Sequence, residues 1–200
     1  MQEILPGILT WPWFSARHGY NFNGHVVCAA AGNICVDPVE PDAPTLDAIA
    51  RLGVTRIVLT NRNHVRAANA VRARTAARTA IHLDDAAHAR KQGALLDDEL
   101  HVGERIGPFV VIGVPGKSPG EVALYWPERR LLLVGDAVVG TPPGHCALLP
   151  ETVMDDPPRL RTSVRHLLDL DCDTLLVGDG TSILTGAREA LRALIQSFSS

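Results

Sequence analysis

Five short segments, spread over nearly the whole chain, constrain its fold more than any other feature. Four of them join an apolar run to glycine, aspartate or asparagine, and the one at 114–120 is rich in proline and glycine. They are residues 32–37 (GNICVD), 57–66 (IVLTNRNHVR), 114–120 (VPGKSPG), 131–136 (LLLVGD) and 175–180 (LLVGDG). Apolar and β-branched runs bounded in this way are buried strands. Helix signals lie between them. Thr45 caps a helix over residues 46–52, and Gly53 ends it. Asn63 caps a second helix, rich in alanine and arginine, over residues 64–79.

The remaining elements follow the same logic. Residues 24–37 predict a hairpin about Ala31-Gly32, and residues 38–44 a loop. Residues 55–59 form a buried strand. Residues 100–114 carry short strands broken by Gly103, Gly107 and Pro108. Strands at 121–126 and 131–134 flank a charged turn at 127–130. A helix over 160–170, a strand over 174–177 and a helix over 187–198 complete the chain. Strands and helices alternate, with hairpins between some strands, so the class is α/β or α+β, with mixed sheets covered by helices.

A chain of 200 residues suits one domain spanning 1–200. There is no internal repeat, low-complexity tract or linker to suggest a second. With 46% hydrophobic and 20% charged residues it is expected to be soluble and globular. A net charge of -3 without blocks of like charge argues against nucleic-acid binding. No apolar run reaches the roughly 20 residues that cross a bilayer. No basic start precedes an apolar stretch, so the default compartment is the cytosol. The four cysteines, Cys28, Cys35, Cys146 and Cys172, form no C-x-x-C pair, which argues against a cysteine zinc site. The hairpin turn would set Cys28 and Cys35 opposite each other, and in a reducing cytosol they are expected to be two small buried thiols.

Together, and in this order, the five segments resemble the signature stretches of the metallo-β-lactamase superfamily. The resemblance implies a four-layered αββα sandwich with a site at one edge, where loops from the two sheets meet. In that family a strand ends in threonine followed by an H-x-H-x-D-H loop. Its first two histidines and its Asp-His pair bind two metal ions. Here Thr60 is kept, Asn61 and Asn63 replace the first two histidines, Val65 the aspartate and Arg66 its neighbouring histidine. The P-G-H-T-P-G loop becomes residues 115–120, with Lys117 at the ligand position. The bridging aspartate survives as Asp136, and the last histidine, of a G-H-G segment, is Asp179.

Catalytic zinc needs about three imidazole, thiolate or carboxylate ligands and an open position. Asparagine is a poor substitute. Lys117 would have to lose its proton to ligate, and Arg66 cannot. Charge counting suggests what stands in for the metal. If the family geometry holds, Asp136 and Asp179 approach each other, and a carboxylate pair without a cation repels. Lys117 and Arg66 would supply the balancing charges through hydrogen bonds. The plainer alternative is four solvated surface charges.

The candidate catalytic residues are therefore Asp136, Asp179 and Lys117. Asn61, Asn63, His64 and Arg66 complete a candidate ligand pocket. His64 and His145 are either exposed or rescue ligands. Asn63 is a site residue or only a helix cap. Trp11, Trp13 and Phe14 line the pocket mouth or belong to the core. Arg66, Arg72, Arg74 and Arg78 attract an anion or form a solvated helix face.

Three functions follow. The first is a metal-free relative that binds a small anionic ligand or a protein partner, with no cofactor. The second is a hydrolase of an ester, thioester or phosphodiester. It would use one hard divalent cation held by Asp136, Asp179, Asn61 and Asn63, because oxygen ligands suit magnesium, manganese or calcium. The third is a structural or oligomeric role.

Overall fold

The computed structural model describes residues 1–199. They fall into two compact units, Met1–Leu100 and the residues from His101 onward. The first unit is built on a seven-stranded sheet in the order β1-β2-β3-β4-β5-β6-β7. Its strands are β1 (Gln2–Leu5), β2 (Ile8–Ser15), β3 (Tyr20–Val27), β4 (Asn33–Val36), β5 (Val54–Val58), β6 (Arg78–His82) and β7 (Asp98–Leu100). β1 to β4 pair antiparallel, and β4 to β7 pair parallel. Helices α1 (Ala43–Arg51), α2 (Ala68–Thr75) and α3 (Leu83–Lys91) provide the crossovers that parallel pairing requires. Trp11, Val26, Ile49, Ile57, Val71 and Ile81 are among the residues of its core.

The second unit holds a five-stranded sheet in the order β12-β11-β10-β9-β8. Its strands are β8 (Arg105–Ile106), β9 (Phe109–Gly113), β10 (Val122–Trp126), β11 (Leu131–Val134) and β12 (Thr174–Val177). Only the β11–β12 pair is parallel. α4 (Pro157–His166) makes that crossover, and α5 (Ala187–Gln196) closes the chain. Val114, Leu132, Val134, Leu160, Leu175 and Leu191 share its core. The outer edge of β12 is covered by Ile183, which exchanges backbone hydrogen bonds with Leu175.

Several local expectations need correction. Cys35 pairs across the hairpin with Val26. Cys28 falls just beyond β3, so the two thiols do not face each other. Cys28 is half-buried, whereas Cys35 is buried, and all four cysteines are free thiols. α1 is capped by Asp42, whose Oδ1 accepts from the Thr45 N–H at 2.9 Å. Pro44 fits the first turn because no intrahelical N–H is needed there. Asn63 does not cap α2: residues 62–67 form turns, and α2 begins at Ala68. Ala76 adopts a left-handed conformation that ends α2, and Arg78 opens a strand.

The sheet also explains one glycine. A Cβ on Gly24 would lie 2.4 Å from the Trp11 ring, its cross-strand partner. Trp11 is buried, and its indole N–H donates to the Val39 carbonyl at 3.0 Å.

Candidate functional site

Asn61, Asn63, His64 and Arg66 lie in the first unit, and Lys117, Asp136 and Asp179 in the second. In the first unit the parallel register pairs Val36 with Val58. Asp37 and Thr60 therefore leave neighbouring strand ends together. Asp37 takes a left-handed backbone (φ 47°). Its carboxylate accepts from the Thr60 N–H at 2.8 Å, the Thr60 hydroxyl at 2.5 Å and His64 Nδ1 at 2.8 Å. All three side chains are buried. Burial alone would push the Asp37 carboxyl up. The charge of His64 and the hydrogen bonds from His64 and Thr60 outweigh it and hold the group below the usual carboxylate range.

The other residues of this loop do different things. Asn61 is buried, and its side-chain oxygen accepts from the Asn63 N–H at 2.8 Å. Asn63 itself is exposed. Arg66 has a left-handed backbone, and its guanidinium lies 4.2 Å from the Phe22 ring centre, a cation–π distance. The other arginines face aspartates: Arg72 pairs with Asp97, Arg74 with Asp47 and Arg78 with Asp98. They lie on α2 and β6 rather than on one helix, and their charges are matched rather than offered to an anion. Trp13 and Phe14 are 43% and 61% exposed, so the three N-terminal aromatics divide, with only Trp11 in the core. His145 is exposed.

In the second unit, parallel β11 and β12 pair Val134 with Val177. Two residues further on, each strand delivers an aspartate. Asp136 and Asp179 are 5% and 4% exposed, and their carboxylate oxygens come within 4.8 Å. At an effective dielectric constant of about 20, like charges that close repel by about 3 kcal/mol. Lys117 meets this charge: its Nζ lies 2.8 Å from Asp136 Oδ2, with the lysine side chain 4% exposed.

The loop that carries Lys117 is firmly held. The Gly116 carbonyl accepts from the Asp156 N–H at 2.8 Å, and the Pro115 carbonyl from the Ser163 hydroxyl at 2.7 Å. Gly116 has φ 142°, and a Cβ there would lie 2.3 Å from the Leu160 backbone nitrogen. We expect Gly116→Ala to cost roughly 2–4 kcal/mol through strain and overpacking. Thermal unfolding measures it, and a wild-type midpoint would show that the loop gives way freely.

The matching family model, described as the Metallo-beta-lactamase superfamily, covers residues 3–198, so the chain belongs to this superfamily. A hydroxyacylglutathione hydrolase of Fuscovulum blasticum is 32% identical over 156 residues. That match covers 74% of this chain, and the chain spans only 57% of the relative's length. The metallo-β-lactamase DIM-1 superposes with a TM-score of 0.79 at 15% identity, covering 98% of this chain and 96% of its own. TTHA1623 in a di-iron-bound form gives 0.69 at 24% identity, covering 90% and 96%. The fold is thus the metallo-β-lactamase fold, with two mixed sheets and five α-helices among the described residues.

At the positions of the fold family's metal ligands this chain carries Asn61, Asn63, Val65, Arg66, Lys117, Asp136 and Asp179. Asn61 spends its oxygen on the Asn63 N–H, Asn63 is exposed, and Val65 is apolar. Arg66 stacks on Phe22, and Lys117 brings an ammonium to Asp136. A protonated lysine has three donors and no lone pair for a metal. Sequence reasoning passed over Asp37 as a site residue. The signal was present, because Asp37 ends one apolar strand as Thr60 ends the next.

Proposed function

We propose that this chain is a metal-free member of its superfamily, one that binds a small ligand or a partner and does not carry out metal-assisted hydrolysis. The observation that carries the reading is the buried Lys117–Asp136 pair, 2.8 Å long, at two family ligand positions. A cation of the protein occupies the place of a metal's charge, so a bound metal would have to displace it or lie beside it against repulsion.

Elemental analysis of protein purified without chelator tests the reading. We expect zinc, iron and manganese far below one ion per chain, and no turnover of hydroxyacylglutathione, the compound named for the relative. One tightly held ion per chain together with turnover would remove the proposal.

A second reading rests on the closeness of the Asp136 and Asp179 carboxylates. A single hard cation could be held by these oxygens and activate water. It requires manganese- or magnesium-dependent hydrolysis that disappears in Asp136→Ala. Activity that persists in that variant excludes it.

A further inference from the structure

We propose that the tip of the β2–β3 hairpin docks on anionic lipid bilayers, with Trp13 and Phe14 entering the interface and Arg17 meeting the headgroups.

The hairpin outruns its sheet. β2 and β3 pair from Ile8 and Val27 out to Ser15 and Tyr20. On one flank β1 reaches only to Thr10, and on the other β4 joins only His25 to Val27. Beyond those points the two strands are a ribbon with no third strand beside it among the described residues. Strand pairing alone gives such a ribbon little stability in water. Ring contacts hold this one: Phe22 lies 5.8 Å from Trp13, 5.2 Å from His18 and 6.0 Å from Tyr20 between ring centres. The turn is closed by Ser15, whose carbonyl accepts from the N–H groups of His18 and Gly19, and whose hydroxyl oxygen lies 2.7 Å from His18 Nδ1.

The ribbon concentrates aromatic surface. Five of the chain's nine Phe, Trp and Tyr residues fall between positions 11 and 22. Trp11 is buried, Tyr20 and Phe22 are half-buried, and Trp13 and Phe14 are exposed. Successive side chains of a strand point to opposite faces, so Trp13 and Phe14 give the tip an apolar side chain on each face. A pocket needs only one such face, whereas insertion into a fluid interface uses both.

Charge selects the occupant. Residues 4–36 contain no Asp or Glu, although the chain has 22 of them, and Arg17 is exposed at the turn. A second copy of the hairpin would bring the same arginine and no acid to meet it. A nucleic acid is held by many cations along its phosphates, and this segment has one arginine. An anionic bilayer takes aromatic rings at the headgroup level, with a cation beside them drawn to its surface charge.

The test mixes the full chain with vesicles of phosphatidylglycerol and phosphatidylcholine in equal parts, and with vesicles of phosphatidylcholine alone. Cosedimentation reads binding. Quenching of tryptophan fluorescence by bromine-labelled lipid reads insertion. Phe14→Ala, Trp13→Ala and Arg17→Glu all change exposed side chains, so the fold should be kept, and circular dichroism checks it.

We expect binding to the anionic vesicles that exceeds binding to the neutral ones and weakens with salt. Phe14→Ala and Trp13→Ala should each weaken it about tenfold. Arg17→Glu should weaken it at low salt and matter less at high salt. Bromine quenching should be strong in wild type and largely absent in Trp13→Ala, which keeps Trp11 and Trp126. No binding to the anionic vesicles, or equal binding by wild type and a folded Phe14→Ala, overturns the proposal. So does a dimer that Phe14→Ala dissociates, or a single-stranded oligonucleotide held more tightly than the vesicles. None of these readouts involves a metal or turnover, so their outcome is separate from that of the proposed function.

Discussion

Lys117→Ala should cost about 3 kcal/mol or more, because breaking a buried ion pair leaves a carboxylate in a poorly solvated place. For a chain of this size that is a fall of roughly 10 °C in unfolding temperature. Lys117 and Asp136 are both almost fully buried, so solvent screening reduces the effect little. The loss has two parts, the missing attraction to Asp136 and the exposed repulsion between Asp136 and Asp179. Asp136→Asn removes both charges' quarrel at once, so Lys117→Ala with Asp136→Asn should be more stable than the sum of the two changes predicts. A double-mutant cycle from urea unfolding reads that coupling. Strict additivity, or a single-mutant cost below about 1 kcal/mol, would place Lys117 with ordinary surface lysines.

Asp37→Asn should cost a comparable amount, about 3 kcal/mol, for a different reason. The carboxylate accepts three hydrogen bonds at once, and His64 Nδ1 faces it at 2.8 Å. An amide can still accept from Thr60, but it turns either its NH₂ toward His64 or its oxygen away from Thr60. The pH dependence carries the signature. The folded Asp37 carboxyl lies below its unfolded value, so its stabilisation is complete above the ordinary carboxylate range. It is lost as pH falls through the folded value. The gap between wild type and Asp37→Asn should therefore be widest near about pH 6 and narrow toward about pH 3. A gap that stays constant through the acid range would mean that Asp37 contributes no charge-dependent stability.

The parts of the fold that sequence reading found are those where periodicity and punctuation agree. The apolar runs at 131–134 and 174–177 are both strands at the stated bounds. The helix at the C-terminus lies where its apolar spacing put it. The alanines and arginines of residues 64–79 favour a single helix. Tertiary demands override that propensity: His64 is drawn into the interior by Asp37, Arg66 turns left-handed, and β6 is needed as a partner for β5. The first twenty residues, which form β1 and most of the β2–β3 hairpin, carry weak alternation and were not assigned.

The site was legible as a set of positions, because aspartates and a lysine stood where the superfamily resemblance pointed. The meeting of Lys117 with Asp136 follows from charge counting. The Asp37–Thr60–His64 cluster does not, because it depends on the in-register ends of two parallel strands, and no local pattern announces that register.

The scarcity of lysine gives the chain a natural reporter of its own fluctuations. Primary amines other than the α-amino group occur at one open position, Lys91 at the end of α3, and one closed position, Lys117. A reagent that acylates amines should mark Lys91 at the speed of a free peptide. It should mark Lys117 only during excursions in which the 115–120 loop lifts from α4. The ratio of the two labelling rates, read by peptide mass, is then a direct measure of how often that loop opens, with its reference built into the same molecule.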